Sequence, residues 1–292
     1  MEELLQNEYI IYLINTVAYL LNAFVLFLIG KVSYQLFHPK INVKNELVEK
    51  DNLAFAIAHA GYFTGILLAV GSAIIGPSHG LWQDLFDIST YGLMAIVLLN
   101  FSTIITDKIL LRHFSVRKEI VDDRNAGTGV VEAANAIASG LVLMGAVTGE
   151  NHTGMSGYVT ALIFWAIGQA AVIFIAWVYN LITSYSIHKE IEKDNVAVGV
   201  GFAGAIIAIA NLVRYALAGD FESWSVTFSD VGFEIVLGLI LLPVVRFLTD
   251  KILLPGQKLT DELVNQEKAN IGAGLIEAFA YIGGSVLITW CL

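Results

Sequence analysis

The sequence predicts an all-α, polytopic membrane protein whose eight transmembrane helices form two parallel four-helix repeats. Three observations support this prediction. Hydrophobic residues make up 57% of the 292 residues and charged residues only 14%, and the mean hydropathy of +0.71 lies far above that of a typical water-soluble domain. Several apolar stretches are long enough, at about 20 residues of helix, to cross the hydrocarbon layer. Segments of the first half recur in the second half.

The predicted helices follow from the apolar runs and the polar residues that interrupt them. The first helix follows an acidic start, MEELLQNEYI, unlike the basic start of a cleaved signal peptide, so we expect it to remain as a span. The second and sixth helices follow Asp-Asn pairs, the fourth and eighth follow single asparagines, and the third and seventh end in the segment TDKILL. The fifth is a long apolar run. The predicted spans lie near residues 9–34, 53–75, 87–111, 126–148, 157–184, 196–218, 231–253 and 271–291.

Basic residues predict the orientation of these helices. Of the 16 Lys and Arg residues, 15 lie in or beside the loops that follow the first, third, fifth and seventh helices, and only Arg214 falls toward the opposite face. Cytoplasmic loops are enriched in Lys and Arg, so these four loops are expected in the cytoplasm. Because the number of crossings is even, both termini are expected on the other, periplasmic side.

Internal repetition defines the predicted domains. The segment EKDNLA recurs as EKDNVA, and TDKILL recurs unchanged, both 143 residues later. The segment NAGTGVVEA, which begins at Asn125, recurs as NIGAGLIEA 145 residues later. We therefore expect one four-helix unit at residues 1–150 and a second at residues 151–292. Units with an even number of crossings enter the membrane in the same direction, so equivalent residues lie at equal depth.

Each copy of the last segment places a glutamate, Glu132 or Glu277, inside an otherwise apolar helix. Small residues recur at three- and four-residue steps around each acid, which orients it toward a neighbouring helix rather than toward lipid. Ionisable groups inside the membrane are functional candidates by default. We therefore predict that Glu132 and Glu277, with Asn125 and Asn270 at the starts of their helices, bind a proton or a small cation. The alternative is that each glutamate only forms hydrogen bonds within its own four-helix unit.

Four polar residues precede the second and sixth helices, namely Asp51, Asn52, Asp194 and Asn195. Their side-chain oxygens can accept hydrogen bonds from the free backbone N–H groups of a first helical turn, which predicts helix caps. The alternative role is to line a vestibule at the cytoplasmic entrance.

The seventh helix carries two charged residues that its counterpart in the first half lacks. Glu234 and Arg246 stand where the third helix has Tyr91 and Thr103. A helix separates residues at this spacing by about 18 Å, too far for a direct ion pair, so each is expected to find a partner elsewhere.

Several function classes find no support in the sequence. A nucleotide-binding loop, a zinc-protease motif and a nucleophile elbow are all missing, so we expect no enzymatic activity, no catalytic residue and no cofactor. The histidines lack the spacing of metal ligands and Cys291 is the single cysteine, so no metal site is expected. The net charge of -10 argues against nucleic acid as a partner.

The repeated motifs resemble those of the DUF350 (YjfL-like) family of bacterial inner-membrane proteins, in two tandem copies. One motif is an Asp-Asn-x-Ala helix start, carried by Asp51 and Asp194 with the residues that follow them. The other is an Arg-Asn start followed by Glu-Ala, carried by Arg124 and Glu132; the second copy has Ala269 in place of the arginine. The resemblance implies a bacterial inner membrane and a setting beside phage-shock-type envelope proteins, and it implies little about activity.

Two functions remain open at this point. The first is a channel or carrier for protons or small cations that uses the pseudo-symmetric glutamate pair. The second is a non-catalytic membrane scaffold whose basic cytoplasmic loops recruit a peripheral protein of the envelope-stress type. Besides the lipid bilayer, a cytoplasmic peripheral protein and further copies of the chain are the expected partners.

Overall fold

The computed structural model describes residues 8–76, 78–109, 115–148, 156–254 and 256–292. Within these ranges, eight helices are long and apolar enough to cross a membrane, which confirms the predicted all-α membrane fold. Their bounds are α1 Glu8–Phe37, α2 Leu53–Ile75, α3 Leu81–Ile109, α4 Ala126–Val147, α5 Gly157–Ile182, α6 Val196–Leu217, α7 Trp224–Leu248 and α8 Ile271–Cys291.

Two helices begin earlier than hydropathy predicts. The predicted starts near residues 87 and 231 become Leu81 for α3 and Trp224 for α7. The first turns of α3 are polar. They stay helical because neighbouring side chains donate hydrogen bonds to the carboxylate of Asp84 in these turns. Asp84 accepts hydrogen bonds from the Ser78 hydroxyl at 2.6 Å and from the Tyr19 hydroxyl at 2.5 Å. An apolar window does not detect such a turn.

The helices form a central row and a flanking set. In the row, α2 packs on α4, α4 on α6 and α6 on α8, and these are the most extensive helix contacts. The flanking helices are α1, α3, α5 and α7, and α5 packs between α4 and α6. The row crosses the boundary between the two halves at the α4–α6 contact. Consequently 83% of an apolar 18-residue stretch of α6 is buried, against 11% of the corresponding stretch of α1.

Glycine and alanine allow the close approach of the row helices. A Cβ atom at Gly199 of α6 would lie 2.7 Å from the carbonyl oxygen of Gly127 in α4. Gly129 faces the backbone of Ala54 in the same way, and Gly274 faces that of Ala197. Small residues of this kind let membrane helices gain van der Waals contact where hydrophobic driving force between them is weak.

The structure reveals a shorter repeat within each half. Every second connection contains a short helix on the same side of the bundle, so the chain is a series of four helical hairpins. We call four of these short segments loop helices; they are Asn45–Glu49, Lys118–Asp122, Ile187–Glu192 and Leu259–Val264, and a fifth short helix, Thr249–Leu253, directly follows α7. The asparagines that start the row helices, Asn52, Asn125, Asn195 and Asn270, are spaced by 73, 70 and 75 residues. Each hairpin contains two crossings, so all four enter the membrane in the same direction.

Candidate functional site

Each row helix begins at an asparagine cap. The side-chain oxygen of Asn52 accepts a hydrogen bond from the Phe55 N–H at 3.1 Å, and Asn195 caps Val198 at the same distance. Asn125 and Asn270 cap α4 and α8 at 2.9 and 3.2 Å. These bonds satisfy one of the free N–H groups at each helix start.

Capping therefore belongs to the asparagines and not to the aspartates before them. Asp51 and Asp194 stand one residue earlier, at left-handed backbone positions with φ of 49° and 60°. Aspartate tolerates this conformation better than most residues with a Cβ atom. In place of a cap of its own helix, Asp194 accepts a 3.5 Å hydrogen bond from the Gly127 N–H in the first turn of α4.

The amide nitrogen of each cap joins the helix start to an acid of its own loop helix. Asn52 donates to Glu46 at 3.0 Å, Asn125 donates to Glu119 at 3.0 Å, and the other two follow the same pattern with Glu190 at 3.3 Å and Glu262 at 2.8 Å. We call each pair of acid and cap asparagine an asparagine clamp.

The first three clamps also reach the next hairpin. The amide of Asn52 donates to the carbonyl of Ile120 at 2.9 Å, that of Asn125 to Ile191 at 2.7 Å, and that of Asn195 to Leu263 at 2.8 Å. The predicted ion ligand Asn125 therefore uses both its amide hydrogens and its oxygen in the clamp, seven residues before Glu132. Asn270 likewise caps its helix and bonds to Glu262.

The acid of the first clamp, Glu46, lies outside the membrane-spanning helices. Burial opposes its ionisation, but hydrogen bonds from Lys50 at 2.6 Å and Asn52 at 3.0 Å, with the positive charges of Lys50 and Arg124, outweigh burial and lower the pKa of Glu46. The contribution of Glu46 to stability is therefore present above the ordinary glutamate pKa and is lost as pH falls through the lowered pKa.

We expect the free energy of unfolding of the wild type to fall more steeply with acid below about pH 4.3 than that of Glu46→Gln, because glutamine cannot titrate. Unfolding in detergent by chemical denaturant, followed by tryptophan fluorescence between neutral and acidic pH, measures the difference. Glu192→Gln, at an exposed acid, is the matched control and should follow the wild type. Parallel pH curves for the wild type and Glu46→Gln would contradict the prediction.

In the second half, Glu277 forms an ion pair inside the membrane. Glu277 is 0% exposed, and its Oε1 atom lies 2.6 Å from Nη1 of Arg246 in α7. The hydroxyls of Tyr179 and Tyr281 donate to the same oxygen at 3.2 and 3.3 Å. Arg246 also donates to the Thr260 hydroxyl at 3.1 Å. The second glutamate is thus neutralised and held by three side chains.

In the first half, Glu132 has a different partner. Its carboxyl group lies within hydrogen-bonding distance of the carboxyl group of Asp107 in α3. Thr103 occupies the position that corresponds to Arg246. Among the described residues, no lysine or arginine forms an ion pair with Glu132 or Asp107. The first glutamate is therefore one of two acids in contact, whereas the second is balanced by a cation.

Aromatic rings border the first site. Tyr34 of α1 lies close enough to influence Glu132 and Asp107 electrostatically. The ring of His59 in α2 meets the Tyr34 ring edge-on at a centroid distance of 4.6 Å. In the second half Phe202 stands at the position of His59 and stacks on Tyr179 at 5.7 Å. The first site thus keeps a polar ring where the second has a hydrocarbon one.

A buried polar stripe extends along α4 from the first site. Thr128, Asn135 and Ser139 lie on the same helical face as Glu132 and are at most 2% exposed. The Thr128 hydroxyl and one oxygen each of Glu132 and Asp107 have no hydrogen-bond partner among the described residues, as one oxygen of Glu277 has none in the second half, and the Asn135 amide lies beside the Glu132 carboxyl group. Leaving such groups buried and unpaired costs about 1–3 kcal/mol each. A bound proton, cation or water is the chemistry that would satisfy them.

The second half lacks this stripe. The residues that correspond to Thr128, Asn135 and Ser139 are Ala273, Ala280 and Gly284. The two predicted site glutamates also share no neighbour among their described contacts, since Glu132 lies against α3 and Glu277 against α7. Within one chain they therefore do not form a joint site between the halves.

A protein-family comparison gives two tandem matches. Residues 7–147 and 153–292 each match the family described as Domain of Unknown Function (DUF350). The chain belongs to the DUF350 family. The first DUF350 copy contains α1 to α4 and the second contains α5 to α8, which confirms the resemblance seen in the motifs.

A relative described as a transmembrane protein supports the membrane assignment. The chain is 22% identical over 186 residues to a UPF0719 transmembrane protein of Aquifex aeolicus (strain VF5), over 64% of this chain and 66% of that protein. The match thus spans just under two-thirds of the relative. No solved structure matches the chain. The DUF350 assignment itself specifies neither a transported species nor a partner.

Proposed function

We propose that the protein carries protons across the membrane and that the acid pair Glu132–Asp107 of the first DUF350 copy is the proton-binding site. The second copy, with its Glu277–Arg246 ion pair, is the structural counterpart. This proposal narrows the predicted glutamate pair to one functional glutamate and adds Asp107 as its partner.

The contact between the carboxyl groups of Glu132 and Asp107, both of which are partly buried, carries the proposal. Two like charges at this separation in a membrane interior are strongly unfavourable, so one proton is shared between Glu132 and Asp107. Release of that proton leaves two negative charges that attract the next proton or a small cation. A site that alternates between these states is suited to transfer a proton.

The polar stripe supports a partial pathway. From Glu132 it continues through Asn135 to Ser139, whose hydroxyl receives a 3.3 Å hydrogen bond from Gln169 of α5. Beyond Ser139 the helix places Val142 and Leu143, both 0% exposed. A proton that reaches Ser139 therefore needs a change in helix packing to continue, which favours a carrier over an open pore.

The second copy is poorly suited to the same role. Proton binding to Glu277 would leave the Arg246 charge, 2.6 Å away and only 15% exposed, without its counter-ion. Breaking a buried pair in this way costs about 3–5 kcal/mol. We assign this ion pair to holding α7 against α8.

The proposed setting is the bacterial inner membrane, with the loop helices in the cytoplasm and both termini in the periplasm. The distribution of Lys and Arg supports this orientation. The Glu132–Asp107 pair then lies near the cytoplasmic end of the bundle, about 10 Å along the helix from the cap of α4.

A flux assay tests the proposal. The purified protein is reconstituted in liposomes, a potassium gradient with valinomycin sets the membrane potential, and an internal pH dye reports proton entry. We expect wild-type flux to exceed that of protein-free liposomes, and Glu132→Gln and Asp107→Asn each to return it to that background. The matched control is the double variant Glu277→Gln, Arg246→Gln, which removes the second pair together and should retain flux.

Three results would count against the site. Flux that is retained in both Glu132→Gln and Asp107→Asn would show that the Glu132–Asp107 pair is not the proton-binding site. Flux that is lost only in the double variant Glu277→Gln, Arg246→Gln would show the same. Absence of flux in the wild type, under proton, sodium and potassium gradients, would favour the scaffold instead. The scaffold depends on accessible basic groups; Lys118 and Lys193 each pair with an acid of their own loop, at 3.0 and 2.9 Å, but stay 64% and 68% exposed.

A further inference from the structure

The row of clamps ends with an incomplete member. Asn270 caps α8 and donates to Glu262 like the other three asparagines, but none of the described carbonyls accepts its second amide hydrogen. Its exposure agrees with this: Asn52 and Asn125 are 1% and 2% exposed, whereas Asn270 is open to solvent.

The other end of the row carries the matching acceptor. In each internal contact the accepting carbonyl belongs to the residue after the clamp acid: Ile120 follows Glu119, Ile191 follows Glu190 and Leu263 follows Glu262. The corresponding residue of the first hairpin is Leu47, after Glu46. No asparagine of the described chain donates to the Leu47 carbonyl. The row thus starts with an acceptor and ends with a donor of the same hydrogen bond.

We propose that a second copy of the chain continues the row, with α8 of one copy packed on α2 of the next and the Asn270 amide bonded to the Leu47 carbonyl of its neighbour. Such a head-to-tail contact uses two different surfaces of each copy. It generates a closed ring if the rotation per copy closes and an open array if it does not.

The helix surfaces at the two ends fit this contact. In the internal contacts, the residue two positions after one cap meets the residue four positions after the next cap, and at least one is glycine: Ala54 with Gly129, Gly127 with Gly199 and Ala197 with Gly274. Across the proposed contact, the equivalent residues are Gly272 and Ala56. The close approach near the caps is therefore possible between copies as well.

Further along the helices, a large residue faces a small one. Gly61 packs on Ala133 and Gly204 packs on Ala278 in the internal contacts. The equivalent positions at the ends of the row are Phe279, which is 68% exposed, and Ala60, which is also exposed. The Phe279 ring takes the place of the glycine in the internal contacts, so it would cover Ala60 and hold α8 and α2 of neighbouring copies farther apart at this point than the internal row helices are.

Charge complementarity adds a third contact. Within the chain, Asp194 accepts a hydrogen bond from the Gly127 N–H at the start of the preceding row helix. Asp51 takes the equivalent position in the first hairpin, is exposed and has the same left-handed backbone. In the proposed contact its carboxylate faces the first turn of α8 near Gly272, where a helix start favours negative charge.

Cysteine cross-linking tests this contact. In a Cys291→Ser background, Ala60→Cys and Phe279→Cys are introduced together, and the protein is oxidised in nanodiscs or native membranes. Two small side chains at these positions allow the Cβ spacing of a disulfide, about 3.8 Å. We expect disulfide-linked dimers and higher species only when both cysteines are present. The control combines Phe279→Cys with Phe24→Cys, which is 64% exposed on α1, and should remain monomeric.

Native mass spectrometry of the chain without cysteine changes gives an independent measure. Oligomers in the wild type that dissociate in Ala60→Trp, with its helical content unchanged, support the contact. A monomeric wild type that also fails to cross-link would overturn it. Dimers formed by Phe279→Cys alone would also overturn it, because they show α8 against α8. Neither measurement depends on transport activity.

Discussion

Arg246→Met is expected to lower the free energy of unfolding by about 3–5 kcal/mol, because it leaves a buried acid without its counter-ion. Glu277 is 0% exposed and its oxygen lies 2.6 Å from the guanidinium. The hydroxyls of Tyr179 and Tyr281 remain as donors to it, but a hydroxyl supplies no full positive charge. Chemical unfolding in detergent, followed by far-UV circular dichroism, measures the loss.

The double variant Arg246→Met, Glu277→Leu separates the charge effect from packing. It removes both ions and replaces them with apolar groups, so most of the stability lost in Arg246→Met should return. If the double variant is no more stable than Arg246→Met, packing and not charge accounts for the loss. If Arg246→Met matches the wild type, the ion pair contributes nothing measurable and its assigned role is wrong.

Gly199→Ala is expected to cost about 1–3 kcal/mol through steric conflict at the contact between the two DUF350 copies. The added methyl group would lie 2.7 Å from the Gly127 carbonyl oxygen and 2.9 Å from its Cα atom. Both are backbone atoms, so α4 and α6 must separate to make room. The same unfolding assay measures this loss.

Gly71→Ala is the matched control, since both glycines lie within helices and a Cβ atom at Gly71 meets no atom within 4 Å. Alanine is the better helix former, so this change should be neutral or stabilise by up to about 1 kcal/mol. Equal effects of Gly199→Ala and Gly71→Ala would show that the α4–α6 contact does not require glycine.

Hydropathy and repetition predict most of the fold. Apolar runs of membrane length give all eight spans within a few residues, except at the starts of α3, which has a polar turn anchored by Asp84, and of α7, which begins at Trp224. The two-copy arrangement follows from short segments that recur, identical or nearly identical, 143 residues later in the chain. The four-hairpin repeat has no such signal, because hairpins share little beyond an acid followed five to eight residues later by an asparagine.

The sequence identifies the two glutamates but not their partners. Asp107 and Arg246 lie on neighbouring helices, 25 and 31 residues from Glu132 and Glu277, and a pattern within one helix does not report contacts between helices. A usable signal does exist: all four residues lie within two or three turns of the loop-helix side. Equal depth makes their pairing possible, and the threonine at position 103 shows that only one glutamate has an arginine available.

The direction of the clamp bonds has a consequence for biosynthesis. The amide of Asn52 donates to the carbonyl of Ile120, and that of Asn125 donates to the carbonyl of Ile191. Each donor therefore precedes its acceptor along the chain, and the acceptor belongs to a hairpin that leaves the ribosome later. Each of the first three clamps can therefore be complete only after the following hairpin has been inserted.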